Sequence, residues 1–414
     1  MIFPALLVAA ILLGACQRAD SPVSRVRPVL DSLPSPTAPG SAEPNLFAAS
    51  DGRVYLTWLE PTADSGHALR FAVLESPADS HPRWSTPRTI AAGRDFFVNW
   101  ADFPSLIALP GGRLAAHWLQ RSDTGKYSYD VRIAQSGDGG ASWSTPVTPH
   151  RDGVPAEHGF VSLFATEGDS LGAAWLDGRK FAPSEGGTKE MMLLSTTISG
   201  DGSLGAERRL DERICDCCQT SVAASARGPV AAFRDRSPDE IRDISVVRHV
   251  NGAWTTPVPV HADGWRIDFC PVNGPSVSAR GEQVAVAWFT GSRDTARVQV
   301  AFSGDGGATF GHAFRVDGGT PEGRVDVELD ERGAALVSWV ERIGGEGAEV
   351  RIRRVDPNGE MGEPLTVAAS SAARASGFPR MAATGEGRDV ILAWTVPGTP
   401  SAVRVARTRL GPVE

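Results

Sequence analysis

The sequence predicts an all-β protein, a β-propeller of four-stranded blades, and three observations carry that prediction. Seven short apolar runs each close on an aromatic residue: VYLTW at Trp58, LAAHW at Trp118, LGAAW at Trp175, PVAAF at Phe233, VAVAW at Trp288, ALVSW at Trp339 and VILAW at Trp394. Their separations are 60, 57, 58, 55, 51 and 55 residues, and a fixed period of this size marks a repeat architecture. Each unit also holds four runs of four to seven residues, rich in Val and Ala and bounded by Gly and Pro, which read as strands rather than helices. Finally, 45 Gly and 30 Pro in 414 residues suit a loop-rich all-β chain. Such units bury their faces against their neighbours, so the propeller forms one domain. The seven aromatic runs favour seven blades.

Residues 1–15, MIFPALLVAAILLGA, are apolar but too short to span a membrane with flanks. With Gly14 and Ala15 directly before Cys16, they resemble a bacterial lipoprotein signal in which the cysteine becomes the lipid-bearing N-terminus. The resemblance implies an extracytoplasmic protein whose membrane partner is reached through acyl chains on Cys16. Gln17 stands where inner-membrane retention is associated with Asp, so the outer membrane is the favoured location. Residues 16–40 are rich in Pro, Ser and Ala and read as a tether. Within them, residues 24–30 (SRVRPVL) are a candidate closing strand, because the last unit stops after its third run at VRVARTRL. Residues 41–414 form the propeller.

In order, each unit opens with a run such as PSLIAL (104–109) or GPSVSA (274–279) and passes through a turn into the aromatic run. A third, alternating run follows, as in DVRIAQS (130–136) and ARVQVAFS (296–303). Two turns after third runs are near copies, SGDGGASW (136–143) and SGDGGATF (303–310). They match the S-x-D-x-G-x-x-W/F Asp box, and with the repeat they make residues 41–414 resemble the sialidase-like (BNR or Asp-box) propeller superfamily. Weaker copies occur at SGDGS (199–203), HVNGAW (249–254) and DPNGEM (356–361). The aspartates Asp138 and Asp305 are expected to be structural, since glycines permit positive φ and the carboxylate accepts turn amides. That superfamily is usually six-bladed, so six blades is the alternative to seven.

The resemblance implies that the ligand site faces away from the Asp boxes, on loops that enter first strands or join second to third. Those loops hold the chemically loaded segments: GRDFFVNWADF, HRDGVPAEHGF, ERICDCCQ, HADGWRIDFCPVNG, LDGRKFAPSEGGTK and FRDRSPDEIRD. Function on loops of a rigid scaffold is the common arrangement. Sialidases use a Tyr nucleophile from late blades and an arginine triad that begins in an R-I-P motif. Here the tyrosines are Tyr55, Tyr127 and Tyr129 and no such motif precedes the first blade, so sialidase catalysis is not expected.

The densest polar stretch, RDRSPDEIRD (234–243), allows two readings. It is a self-paired surface network, or Arg234, Arg236 and Arg242 grip an anionic group while Asp243 orients them. Asp177, Arg179, Trp265 and Asn273 complete the candidate ligand site on blades three to five, with Asp235, Asp239 and Asp263 as candidate catalytic carboxylates. Trp100 and Trp265 lie in rim loops, where aromatic faces stack on sugars or fill loop cores. Beyond Cys16, Cys215, Cys217, Cys218 and Cys270 cluster in the loops entering blades four and five. Outside the cytoplasm two disulfides are the default. A copper or zinc site, joined by His158 or His261, and redox-active thiols are the alternatives. His150, His158 and His261 read as surface or ligand-contact residues.

The formal charge is −8 without a basic run, which argues against nucleic acid partners. The expected function is binding of a polar or anionic ligand, with glycans as the first class and a monomer as the favoured state. A divergent glycoside hydrolase using the rim carboxylates and a copper- or redox-handling protein are the alternatives.

Overall fold

A computed structural model describes residues 29–409, apart from residues 78, 80, 167–169, 186 and 385–388. It is a ring of seven antiparallel sheets, which decides for seven blades over six. Blade one runs Ala42–Ala48, Val54–Pro61, His67–Leu74 and Arg88–Gly93. In blade two the strands Ser105–Ala108, Leu114–Arg121 and Tyr129–Ser136 are joined by a fourth piece that makes one bridge, Ile133 to Val147. Blade three comprises His158–Ala165, Leu171–Asp177, Met191–Ile198 and Arg208–Ile214. Blade four comprises Ser221–Ser225, Gly228–Arg234 and Ile244–Val250, edged by the short Ala253–Trp254 and Val258–Pro259. Blades five and six begin at Ser276 and Pro321, and blade seven at Arg380.

Ring closure uses the N-terminal segment: the described strand runs Val29–Leu33, overlapping the expected 24–30 at its end, and residues 24–28 lie outside the described residues. This strand pairs antiparallel with Ala402–Arg409, in register Leu30 to Thr408 and Leu33 to Val405. The position has a packing reason. Leu33 is buried in the cluster of Leu46, Trp58 and Val405, and Asp31 meets Arg407 at 2.9 Å. Residues 1–28, with the lipobox and Cys16, lie outside the described residues.

The aromatic period now has a mechanical meaning. Each aromatic shares a buried cluster with residues of the preceding blade: Trp118 with Phe71, Trp175 with Ile133, Phe233 with Leu193, and Trp288 with Val246. Trp339 joins Val300, Trp394 joins Ile352, and Trp58 joins Ile391 across the closure. Burying such a ring removes 150–250 Å² of mostly apolar surface, roughly, so the seven aromatics dominate the ring's cohesion. The second strands are buried on both faces, whereas the outermost Arg88–Gly93 buries only Ile90. That is the pattern expected of inner and edge strands.

The two strong Asp boxes are superposable hydrogen-bond by hydrogen-bond. Ser136 Oγ donates to Asp138 Oδ1 at 2.8 Å, and Asp138 accepts from the Ser142 amide at 2.9 Å and hydroxyl at 2.6 Å. Ser303, Asp305 and Thr309 repeat this at 2.7, 2.9 and 2.7 Å. Gly140 has φ +84°, and a Cβ there would come within 2.4 Å of the Phe71 ring, so both backbone and packing require glycine. The boxes occupy 3→4 turns. The long loops occupy 2→3 connections and blade entries, at the other end of the antiparallel strands.

Candidate functional site

Three loop clusters form the rim of blades two to four. The first surrounds a small cavity of about 20 Å³ lined by Ala101, Asp102, Phe103, Phe160, Val161, Gln219 and Thr220. Gln219 spans the ring centre there: its amide donates to Ala101 O at 2.6 Å and its oxygen accepts from Gly274 N at 3.0 Å. Asp102 accepts from Phe160 N at 2.7 Å, and burial pushes its carboxyl up to about 8. Tyr129 Oη lies 3.2 Å from Asp102 Oδ2 and 2.9 Å from Glu157 Oε1. One phenol proton serves one acceptor, so it goes to the nearer Glu157, and protonated Asp102 donates to the phenol. Glu157 carries this chain to the half-buried rim, its carboxyl raised to about 7 by burial. Tyr129 itself is fully buried and stacked on Phe97 at 3.9 Å, and burial holds its hydroxyl well above the usual value, so it is protonated and shielded.

The second cluster is the self-paired form of the 234–243 stretch. Arg236 pairs with Asp216 at 3.1 Å and with Glu240 at 2.9 Å, and Arg242 pairs with Glu240 at 2.9 Å. The Arg236 and Arg242 guanidiniums hold Glu240 down at about 2. Asp216 stays raised because burial outweighs Arg236. Arg213 bridges Glu240 at 2.6 Å and Glu190 at 3.1 Å, and Lys180 joins Glu212 at 3.3 Å.

Arg234 stands apart from that network. It is 1% exposed and donates to three carbonyls, Asn273 O, Arg242 O and Phe289 O, at 2.9, 2.6 and 2.7 Å. Its guanidinium also lies 4.9 Å from the Trp265 ring centre. The grip on a ligand expected of Arg234 is therefore replaced by a clamp on three loops. Trp265 is buried edge-on against Phe289, the loop-core alternative. Asn273 accepts from Arg324 N at 2.7 Å and donates to Glu322 O at 3.2 Å, tying blade five to blade six. Asp243 accepts the Gly264 and Trp265 amides at 2.8 and 2.9 Å.

The candidate catalytic carboxylates have other occupations. Asp263 accepts from Trp288 Nε1 and Gln299 Nε2, both at 2.7 Å, and meets His261 at 2.9 Å. Asp235 accepts the Arg236 amide at 2.7 Å and the Ser245 hydroxyl at 3.3 Å. Asp239 is exposed, and its amide bonds Ser237 Oγ at 3.2 Å. Asp177 is buried beneath Trp175, whose Nε1 donates at 2.9 Å, and holds Arg179 in a fork of 2.7 Å bonds. The same Trp-to-carboxylate bond joins Trp58 to Glu60 and Trp339 to Glu341. Asp177 thus belongs to a repeat element, W-x-D/E, written in three blades as TWLE, AWLD and SWVE.

Sequence reasoning missed Glu157, Asp102, Gln219 and the His150–His158 pair. The two histidine rings are buried and stacked at 3.7 Å, and Asp152 bonds His158 Nε2 at 2.9 Å. Their planes are 4° apart, and one donor atom from each of Asp130, His150 and His158 lies within 4.8 Å of the others, as is also true of Asp152, His158 and Asp177. Trp100 stacks on Phe378 at 5.7 Å beneath Arg324, which is a packing role.

The cysteines form the third cluster. One of the two expected disulfides is present, Cys217–Cys270, between adjacent blade-entry loops. Cys215 and Cys218 carry buried thiols with sulfurs 3.2 Å apart, rather than a second bridge. Cys215, Cys218 and Cys270 have donor atoms close enough for one metal ion, but the Cys270 sulfur is committed to its bridge. Among the described residues neither His158 nor His261 is grouped with the three sulfurs; their ring nitrogens bond Asp152 and Asp263.

No family model matches the sequence, and no curated protein matches it. Among solved structures, a protein of unknown function from Dyadobacter fermentans has a TM-score of 0.51 at 14% identity, covering 93% of this chain and 98% of its own. An α-L-arabinofuranosidase from Fusarium graminearum has a TM-score of 0.49 at 13% identity, over 93% and 98% of the two chains. A sialidase from Streptococcus pneumoniae has a TM-score of 0.47 at 9% identity, over 92% and 94%. At these identities the likeness concerns the fold alone. With its Asp-box turns and its ring of seven four-stranded units, the chain has a sialidase-like β-propeller fold, at weak sequence identity.

Proposed function

We propose that this is a lipid-anchored, extracytoplasmic propeller that binds a polar ligand of the glycan class on the rim, centred on blades two to four. The observation that supports the reading is Glu157, a rim carboxyl raised to about 7 by burial and linked through Tyr129 to Asp102 in the cavity lining. A carboxyl near neutrality both donates to and accepts from hydroxyls, which suits a sugar better than a free anion. The arginines point the same way: Arg236 and Arg242 are already paired with Asp216 and Glu240. The centre therefore shifts from the arginines of blades three to five toward the carboxyls of blades two to four. At about 20 Å³ the cavity admits no more than a water-sized group, far below the roughly 300 Å³ at which ligand pockets begin, so the ligand lies along the rim outside it.

A hydrolytic reading rests on the same Glu157, whose raised carboxyl has the character of a general acid. The discriminating experiment is a glycan array with the soluble chain, followed by turnover assays on the glycans bound. Binding that falls about tenfold or more in Glu157→Gln, without turnover by the wild type, supports the binder. Turnover lost in Glu157→Gln with retained binding supports the hydrolase. No glycan bound by the wild type overturns both. For the anchor, metabolic labelling with a radiolabelled fatty acid should mark the wild type and not Cys16→Ser.

A further inference from the structure

The cysteine cluster has two levels. Cys217 and Cys270, the bridged pair, are partly exposed on the rim, whereas Cys215 and Cys218 lie beneath them, each 1% exposed. Cys215 Sγ is 3.6 Å from Cys270 Sγ, and Cys218 Sγ is 3.8 Å from it. The surroundings of the buried pair are cationic. Arg242 Nη1 lies 3.4 Å from Cys215 Sγ, and the Cys215 amide bonds the carbonyl of Arg234 at 2.9 Å. Arg234 satisfies its donors on carbonyls, yet among the described residues it has no ion pair. Its charge is felt by Asp243 and by Cys215, and a buried guanidinium held only on carbonyls favours the thiolate form of Cys215.

We propose that the cluster is a thiol–disulfide exchange centre in which the Cys215 thiolate attacks Sγ of Cys270 and releases Cys217 as a thiolate on the rim. The lone pair of Cys215 forms the Cys215–Cys270 bond. The Cys270–Cys217 bond breaks, and its electron pair stays on Cys217. The proton of Cys215 leaves to solvent, and no outside oxidant or reductant enters the step. Cys218 is the supporting thiol. Burial and its neighbour push it well above the usual value, so it stays protonated and donates to Cys215 at 3.2 Å. Burial works against the Cys215 thiolate, but the Cys218 hydrogen bond and the two arginines outweigh it and bring that thiol down to about 7. The result moves a nucleophile from a covered position to one that small disulfides reach. A substrate RSSR would then form a Cys217–SR mixed disulfide and release RS⁻.

The test uses the intact chain purified without reductant and a pyridyl disulfide as probe, with bridges and adducts mapped by mass spectrometry. The adduct is expected on Cys217, in molecules bridged Cys215–Cys270, and its rate should fall about tenfold or more in Cys215→Ser. An adduct on Cys215 or Cys218, no adduct at all, or a Cys217 adduct that Cys215→Ser leaves unchanged would overturn the proposal. The wild-type bridge map decides the matter even if Cys215→Ser does not fold: two bridges and no free thiol also overturn it.

Discussion

On the face of short turns, Asp138 and Asp305 each sit in a turn that folds its own amides and hydroxyls around the carboxylate. Ser142 above all holds Asp138 below the usual range, and at Asp305 the Ser303 and Thr309 bonds outweigh burial and bring it to about 2. On the rim, Asp102, Glu157 and Asp211 are pushed the other way, to about 8, 7 and 6, by burial. The difference is one of donor supply. A tight turn brings its donors with it, so its carboxylate ionises readily. Rim carboxylates meet neighbours from other blades and lose water: where arginines pair them, as at Glu240, they stay low, and where none does, as at Asp102 and Glu157, burial raises them. One face is therefore built for structure, and the other carries groups poised to exchange protons.

The contrast extends to arginines, and there the largest effect is expected. Arg234→Met leaves the carbonyls of Asn273, Arg242 and Phe289 buried without a donor. At about 1–3 kcal/mol for each such group, with partial relaxation, a loss of about 3–5 kcal/mol is expected in denaturant unfolding. Arg227, exposed on the short-turn face and paired with Glu282 at 3.0 Å, should change stability by less than about 0.5 kcal/mol when replaced by Ala. Equal losses at both positions would end the distinction between the faces.

A smaller effect should appear in the pH dependence of the rim. The folded-state pKa of Asp102 is raised, so the stability carried by its neutral form is full below the unfolded value near 3.8 and is lost as pH rises through about 8. Asp102→Asn stays neutral, still accepts from Phe160 N and donates to Tyr129. Its Tm should decline less than that of the wild type between about pH 5 and about pH 9. The decline should not vanish, because Glu157 at about 7 and Glu328 at about 8 titrate in the same window. A parallel decline in wild type and variant would mean that Asp102 is ionised throughout.

How much of this was legible in the chain differs between the faces for the same physical reason. The aromatic period and the Asp boxes are local: every partner in the box lies within a few residues, so spacing alone exposes it. The W-x-D/E element was equally local and equally readable, and it would have marked Asp177 as structural. Rim roles depend on partners far along the chain. Arg234 has the composition of a ligand grip, but its acceptors at Asn273 and Phe289 lie 39 and 55 residues away. Glu157 and Asp102 carry no motif, because what distinguishes them is burial against Tyr129, 28 and 27 residues away. The closing strand shows the same limit: composition placed it near residue 30, and only the packing of Leu33 set its register.

The smallest expected effect tests the other side of the comparison. Asp305 has a depressed folded-state pKa, so its contribution to stability is present above the unfolded value near 3.8 and is lost as pH falls through about 2. Asp305→Asn keeps one acceptor for the Ser303 hydroxyl and the Thr309 amide but removes the charge and the second acceptor that the Thr309 hydroxyl uses. The variant should melt slightly lower than wild type near neutrality, and the two melting curves should converge as pH falls toward about 2. This sign is opposite to that of Asp102→Asn, whose advantage over wild type grows as pH rises. The two variants measured together separate the faces without reference to any ligand. If Asp305→Asn instead gained on wild type at high pH, the turn would not be supplying its own donors, and the physical basis of the contrast would fail.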